Sequence, residues 1–342
     1  MRQLTAIAAS GMLLLLLLAL SLMLGAKSIA IHDVYLALTT RCDSADCIIV
    51  REARLPRTLA GLMAGWAAGG GGGGVGGVSA RGVGAALMQS LTRNPLADPG
   101  ILGVNAGAGF AVVLGIALFG ADSPADWLGF AFGGALLASL LVALTGALGG
   151  GRVNPVRLTL AGVALGAVLE GLTSGLSLLN PDIYDHLRFW HSGSLDIRSV
   201  AVLRVTYPAV AVGVLIALLL SRSLNSLSMG GDLATALGTR VARTQILGLL
   251  AIALLSGAAT AAVGPIAFVG LMTPHLARWL WGNEHRWMLP GTLLITPCLL
   301  LAADILGRLM VPGELRVAVV TALIGAPMLI VLVRRKLGRG QV

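Results

Sequence analysis

Apolar stretches long enough to cross a lipid bilayer recur along the whole chain, joined by short polar links. A hydrocarbon core about 30 Å thick takes roughly 20 apolar helical residues per crossing. On that length the pattern predicts helices at residues 4–24, 58–89, 101–120, 127–149, 158–179, 200–220, 244–263, 265–281, 289–306 and 315–333, about ten in all. The runs are continuous, with Gly and Ala set among Leu and Val, and they lack the strict alternation of a membrane β-barrel. The predicted fold is all-α, a polytopic membrane protein forming one transmembrane domain over residues 1–342.

Composition agrees. With 56% hydrophobic and 11% charged residues, the chain has too little polar surface to cover a soluble domain. The net charge of +9 is scattered among the links, not gathered on one face as a nucleic-acid site requires. Arg334, Arg335 and Lys336 place the carboxy terminus in the cytoplasm by the positive-inside rule, and an even number of crossings places the amino terminus there too. Residues 1–28 share features with a signal peptide, but their apolar run exceeds the usual length of about 7 to 15, which favours a retained first helix. Cys42 and Cys47 then lie in the first outer loop, as a disulfide or as two thiols. Cys298 falls within a helix and reads as a small packing residue.

Arg51, Arg54 and Arg57 gather before the second span on the side where the charge rule disfavours them. They either attract an acidic partner or anchor the helix end at the interface. The inner link 91–100 carries Asn94, Pro95, Leu96 and Pro99, and the link 149–157 carries Asn154 and Pro155. Such proline-bounded loops are either pathway constrictions or tight connections. The longest inner segment, 222–243, sets Leu233, Ala236 and Leu237 at helical spacing between Gly231 and Gly238, an amphipathic helix whose apolar face needs a partner or rests on lipid. Gly264-Pro265 opens a short span containing Thr273-Pro274-His275, expected to be kinked. His275 and Arg278 near its end lack converging ligands, so no metal site is expected. Glu170 is the acid at mid-membrane, a pathway candidate or a packed carboxylate. Asp304 and Arg308 are spaced for an i,i+4 pair.

Nucleotide chemistry is missing. Lys27 and Lys336 are the only lysines, and neither completes a G-x-x-x-x-G-K-[ST] phosphate loop. The chain is therefore not expected to be an enzyme, and nucleotide energy must arrive from another subunit. The glycines of 69–84 sit among apolar residues and are costly in a helix by roughly 1 kcal/mol each relative to Ala. With Arg81 at depth, they mark an atypical insertion at about 66–84 that bulges, re-enters, loops out or reflects a reading-frame accident.

R-L-P-R at 54–57, L-T-R-N-P-L-A-D-P from Leu91, L-A-G-V-A-L-G from Leu160, G-P-I-A-F-V-G-L-M-T-P-H-L-A-R from Gly264 and I-G-A-P from Ile324 occur in an order that resembles one family. That family is the membrane permease subunits of ATP-binding-cassette importers for iron siderophores, haem and vitamin B12, the FecCD type. Residues 157–175 and 311–317 are most similar to its ferric-enterobactin branch. The resemblance implies a type II importer permease fold in a bacterial inner membrane, with no cofactor in this chain. It implies a homologous second permease subunit, two ATP-binding subunits that bind ATP and Mg, and a periplasmic siderophore-binding protein. By position it implies that Arg54, Arg57 and Arg308 dock the binding protein, and that Asn94 and Leu96 form one cytoplasmic gate and Asn154 and Pro155 the other. Ser228, Gly230, Asp232, Ala236, Leu237, Gly238 and Thr239 match the ATPase-coupling segment. The glycine insertion departs from the family pattern and bears on the carry-over to Asn94 and Leu96. The resemblance further implies that nucleotide binding in the partner pushes the 222–243 segment and rocks the helices, passing a ferric siderophore, ferric enterobactin on the nearest motifs. The rival readings are haem or vitamin B12 as cargo, a proton-coupled secondary transporter using Glu170, and a non-transporting scaffold.

Overall fold

The computed structural model describes residues 2–40, 44–62, 79–121, 123–147, 153–197, 200–311 and 313–337, and every regular element among them is helical. The Leu-rich α1 (Arg2–Met23) is followed by short α2 (Ile31–Thr39) and α3 (Ala45–Ile48), a wide π turn at Ile49–Arg54, and α4 (Leu55–Leu62). α5 (Ser79–Thr92) leads through a 3-10 turn at Pro99–Leu102 into α6 (Val104–Phe119), α7 (Pro124–Ala147) and α8 (Pro155–Leu179). Then come α9 (Pro181–His191), α10 (Val200–Leu219), α11 (Ser221–Ser228), α12 (Gly231–Ala236) and α13 (Val241–Val263). α14 (Val269–Trp281), α15 (His285–Met310) and α16 (Val317–Leu337) complete the series.

Each apolar stretch of the sequence has a helical counterpart, but not all are continuous. Gln3–Met23, Asp126–Ala147, Pro155–Leu179, Val241–Val263 and His285–Met310 are long and apolar enough to cross a membrane. The chain is a membrane protein. The stretch expected at 58–89 contains two helices, α4 and α5; the glycine tract as far as Val78 lies outside the described residues. The stretch expected at 265–281 is shorter than its apolar run. Gly264 and Phe268 both have positive φ (71° and 67°), which stops α13 and delays α14 to Val269. At about 1.5 Å per residue the 13 residues of α14 reach roughly 20 Å, short of a full crossing. α14 runs on through Pro274, so the interruption precedes the helix. α10 and α11 meet at a 53° bend.

α13 is the central helix. Its Ala, Gly, Ser and Thr positions let α5, α7 and α10 lie against it on several sides. In lipid, where apolar burial alone drives little association, such close packing supplies the attraction. Backbones also touch at α6 and α7: a Cβ on Gly107 would stand 2.5 Å from the Gly134 carbonyl oxygen, and one on Gly134 would stand 2.3 Å from that of Gly107. Glycine is required on both sides of this crossing. α8 is the opposite case. It buries Leu158, Gly162, Thr173 and Ser177 while exposing Val156, Leu160, Val163, Val168 and Leu172, a stripe left for lipid or another subunit.

Candidate functional site

Local hydrogen bonds set the two proline-bounded loops. Asn94 Oδ1 accepts from Leu96 N–H (3.0 Å) in an Asx turn that leaves the Leu96 side chain 45% exposed. Asn154 caps α8, its Oδ1 accepting from Val156 N–H (2.9 Å), with Pro155 at the first helical position where its missing N–H costs nothing. The fold brings these loops together. Asn94 and Pro155 line one cavity of about 290 Å³ with Thr92, Ile101 and Leu160.

The 222–243 segment folds as α11 and α12 at the same end of the bundle. Leu224 and Leu227 are buried beneath it, whereas Met229, Leu233 and Leu237 are each at least half exposed. Ser228 Oγ–H donates back to the Asn225 carbonyl (2.7 Å), and Gly230 (φ 117°) and Gly238 (φ 79°) turn the chain on either side of α12 where a side chain would be strained. Asp232 is in the first turn of α12, where an acid suits the helix dipole, and Ala236 and Thr239 follow on the same surface segment.

Side chains inside and outside the sequence motifs tie this segment and the helices beside it to both loops. Asn225 Oδ1 accepts from the backbone N–H (2.9 Å) and Nδ1 (2.6 Å) of His285, and His285 Nε2 meets Ser90 Oγ on α5 (2.7 Å). α5 runs directly into the Asn94 loop. The Arg93 guanidinium also stands beside Gly230, its Nη1 3.8 Å from where a Cβ would be. His275 Nε2–H donates to the Pro95 carbonyl (3.1 Å), and Arg278 donates to Gln89 Oε1 (2.6 Å), so α14 braces the same loop. The second loop is held from α13, the helix that follows the segment, where Gln245 Oε1 accepts from Val153 N–H (3.0 Å). Asn225 and His285 are 60 residues apart, and no motif spacing links them.

Arg81 is buried without an ion pair shorter than 4 Å among the described residues. It donates to the carbonyls of Ile266 and Gly264 and to Thr260 Oγ1, each at 2.7 Å. These acceptors surround the break between α13 and α14, so the guanidinium satisfies oxygens that the interrupted helix leaves open. It borders a cavity of about 460 Å³ with Asp98, Asn105, His191 and Ser256. Burial pushes the Asp98 carboxyl above the usual range, against the opposing pull of the Gly100 N–H and Arg81.

At the opposite end the three arginines of the docking expectation turn inward. Arg54, 6% exposed, donates to the carbonyls of Leu22 (2.8 Å), Met23 (2.7 Å) and Lys27 and so caps α1. Burial lowers its pKa. Arg57 grips Asp304 through Nε and Nη2 (2.9–3.1 Å) and Glu314 through Nη1 (2.7 Å). Burial alone would lower its pKa, but the two carboxylates raise it. Arg308 pairs with Asp304 and donates to the Ser21 carbonyl (2.8 Å) and hydroxyl (3.0 Å). Arg51 likewise caps α2, through the carbonyls of Ala37 (2.5 Å) and Thr40. Arg51, Arg54 and Arg308 thus place positive charge at helix carboxy termini that need it.

Glu170 is exposed on α8 and acts electrostatically on His191, which lines the cavity of about 460 Å³. Cys47 is buried and disulfide-bonded, and Cys42 lies outside the described residues. Cys298 is a free buried thiol against the Ser10 carbonyl. Among the described residues no group of His, Cys, Asp or Glu could hold a metal ion.

Comparison with known proteins adds an independent line. The model of the FecCD transport family matches residues 13–335. The ferric enterobactin transport system permease protein FepD of Escherichia coli K12 is 65% identical over 97% of this chain and 96% of its own. FepG, the other ferric enterobactin permease protein of that organism, is 36% identical over 90% and 89%. A metal-chelate type ABC transporter solved in an inward-facing conformation aligns with a TM-score of 0.79 at 28% identity, covering 97% of this chain and 99% of that one.

Proposed function

The chain belongs to the FecCD transport family, and from that membership we propose that it is the permease subunit of an ATP-driven importer carrying ferric enterobactin across a bacterial inner membrane. The 65% identity to a ferric enterobactin permease over nearly the full length favours that cargo over haem or vitamin B12. The weaker likeness to FepG supports pairing with a homologous but distinct second permease. ATP and Mg belong to two ATPase subunits, and a periplasmic binding protein delivers the siderophore. Residues 1–342 act as one domain with both termini in the cytoplasm.

One observation carries the mechanism: α11 and the Asn94 loop share α5 through the Asn225–His285–Ser90 hydrogen bonds. An ATPase groove closes over Met229, Leu233 and Leu237, whose exposed apolar side chains gain a partner there. Displacement of α11 passes to α5 and the Asn94–Leu96 gate, and displacement of α13 passes through Gln245 to the Asn154–Pro155 gate. The chain supplies rigid levers and a two-state constriction rather than bond-making groups. Arg57 and its surroundings at the opposite end receive the binding protein. Reconstitution of the two permeases with their ATPase and binding protein should give ATP-dependent uptake of radiolabelled ferric enterobactin. Uptake that persists without nucleotide but collapses in Glu170→Gln would replace this reading with proton coupling.

A further inference from the structure

The charges at the α1–α4–α15 junction are arranged unequally. Asp304 serves both Arg57 and Arg308, so one carboxylate stands between two guanidiniums. Arg57 spends Nε and Nη2 on it and turns Nη1 to Glu314. The two carboxylates differ in access. The Asp304 side chain is 1% exposed, whereas that of Glu314 is 34% exposed. Arg57 and Glu314 face an open cavity of about 490 Å³, lined also by Ser194, Asp196 and Arg316. Arg54 and Arg308 do not reach it. Glu314 has φ 52°, a conformation that suits Gly or Asn better than Glu. Its backbone is pinned there by Glu314 N–H to the Val311 carbonyl (3.0 Å) and Leu315 N–H to the Gly307 carbonyl (2.9 Å). The loop thus holds an unfavourable residue in place so that a carboxylate rests on the outward edge of Arg57.

We propose that Glu314 is an internal stand-in for an acidic side chain of the docking partner, covering Arg57 until the partner's carboxylate enters the cavity and displaces it. This rests on the reading of this end as the docking face. The exchange keeps the charge balanced, because one carboxylate replaces another on the same guanidinium. It is also accessible, since Glu314 is hydrated enough to leave while Asp304 is not. Asp196 beside the cavity opposes entry of a second acid. Glu314 therefore sets affinity: docking must compete with it.

The test uses the complete permease–ATPase assembly in lipid nanodiscs and the cargo-loaded binding protein of the same import system as probe. Glu314→Asn removes the charge with a residue that tolerates positive φ, and should tighten Kd roughly threefold to tenfold. Glu314→Gln, which keeps the side-chain length, should move Kd in the same direction. Arg57→Gln should weaken docking in either background. Unchanged or weaker binding by both Glu314 variants, with Arg57→Gln still weakening it, overturns the stand-in and leaves the docking face intact. No effect of Arg57→Gln overturns the docking reading and the stand-in with it.

Discussion

Asp304 accepts hydrogen bonds from two buried guanidiniums, so removing its charge leaves Arg308 without a carboxylate and Arg57 with Glu314 alone. Asp304→Asn should cost about 3–5 kcal/mol, read as a lowered thermal midpoint of the purified protein, with little change in the helical circular dichroism of what remains folded. Arg81 makes a second, milder case. Arg81→Met would strip a donor from the buried carbonyls of Ile266 and Gly264, a loss of about 1–3 kcal/mol measurable by the same melt. The Asp304–Arg308 pair was legible from its i,i+4 spacing, and Arg81 was legible as a charge at depth. Their further partners were not. Arg54 reaches main-chain oxygens 27 to 32 residues away, and a carbonyl carries no residue-type signal by which a sequence could announce it. That is why Arg54 and Arg308, which the family pattern links to a partner, are found here at the carboxy terminus of α1.

At the scale of elements, hydrophobic periodicity located the apolar helices because membrane length is a strong constraint. It placed the end of α13 at Val263 but not the non-helical stretch that continues from 265 to 268. Gly264-Pro265 marked a helix start, but the positive φ of Phe268, a residue with a Cβ, depends on tertiary packing and has no local signature. The Asn and Pro residues of the two proposed gates were readable as loop formers, while their convergence on one cavity required the fold. The link from α11 to α5 was likewise invisible, since Asn225, His285 and Ser90 meet only through packing. His285→Ala should therefore uncouple the assembly: ATP hydrolysis persists while iron uptake per ATP falls, on the order of tenfold if the lost hydrogen bonds were worth about 1.4 kcal/mol to the transmitted state. Simultaneous measurement of phosphate release and uptake in proteoliposomes checks it. Equal loss of both would instead assign His285 to ATPase attachment.

For the whole molecule, the exposed apolar surface falls into two kinds. The α8 stripe belongs within the membrane, where lipid or a neighbouring subunit covers it. Met229, Leu233 and Leu237 lie beside the polar α11 segment, where lipid contact explains them less well than a protein groove. Leu233→Asp with Leu237→Asp should abolish co-purification of the ATPase while the permease pair stays assembled, as seen by size-exclusion chromatography. Transport then depends on whether force applied at this segment reaches the gates. Spin labels at Leu96→Cys in one proposed gate loop and Val156→Cys in the first turn of α8 beside the other, both exposed positions, report their separation in the full assembly by pulsed dipolar spectroscopy. Nucleotide binding should shift that distance distribution, and adding His285→Ala should suppress the shift; an unchanged distribution in an assembly that still imports ferric enterobactin would contradict the account.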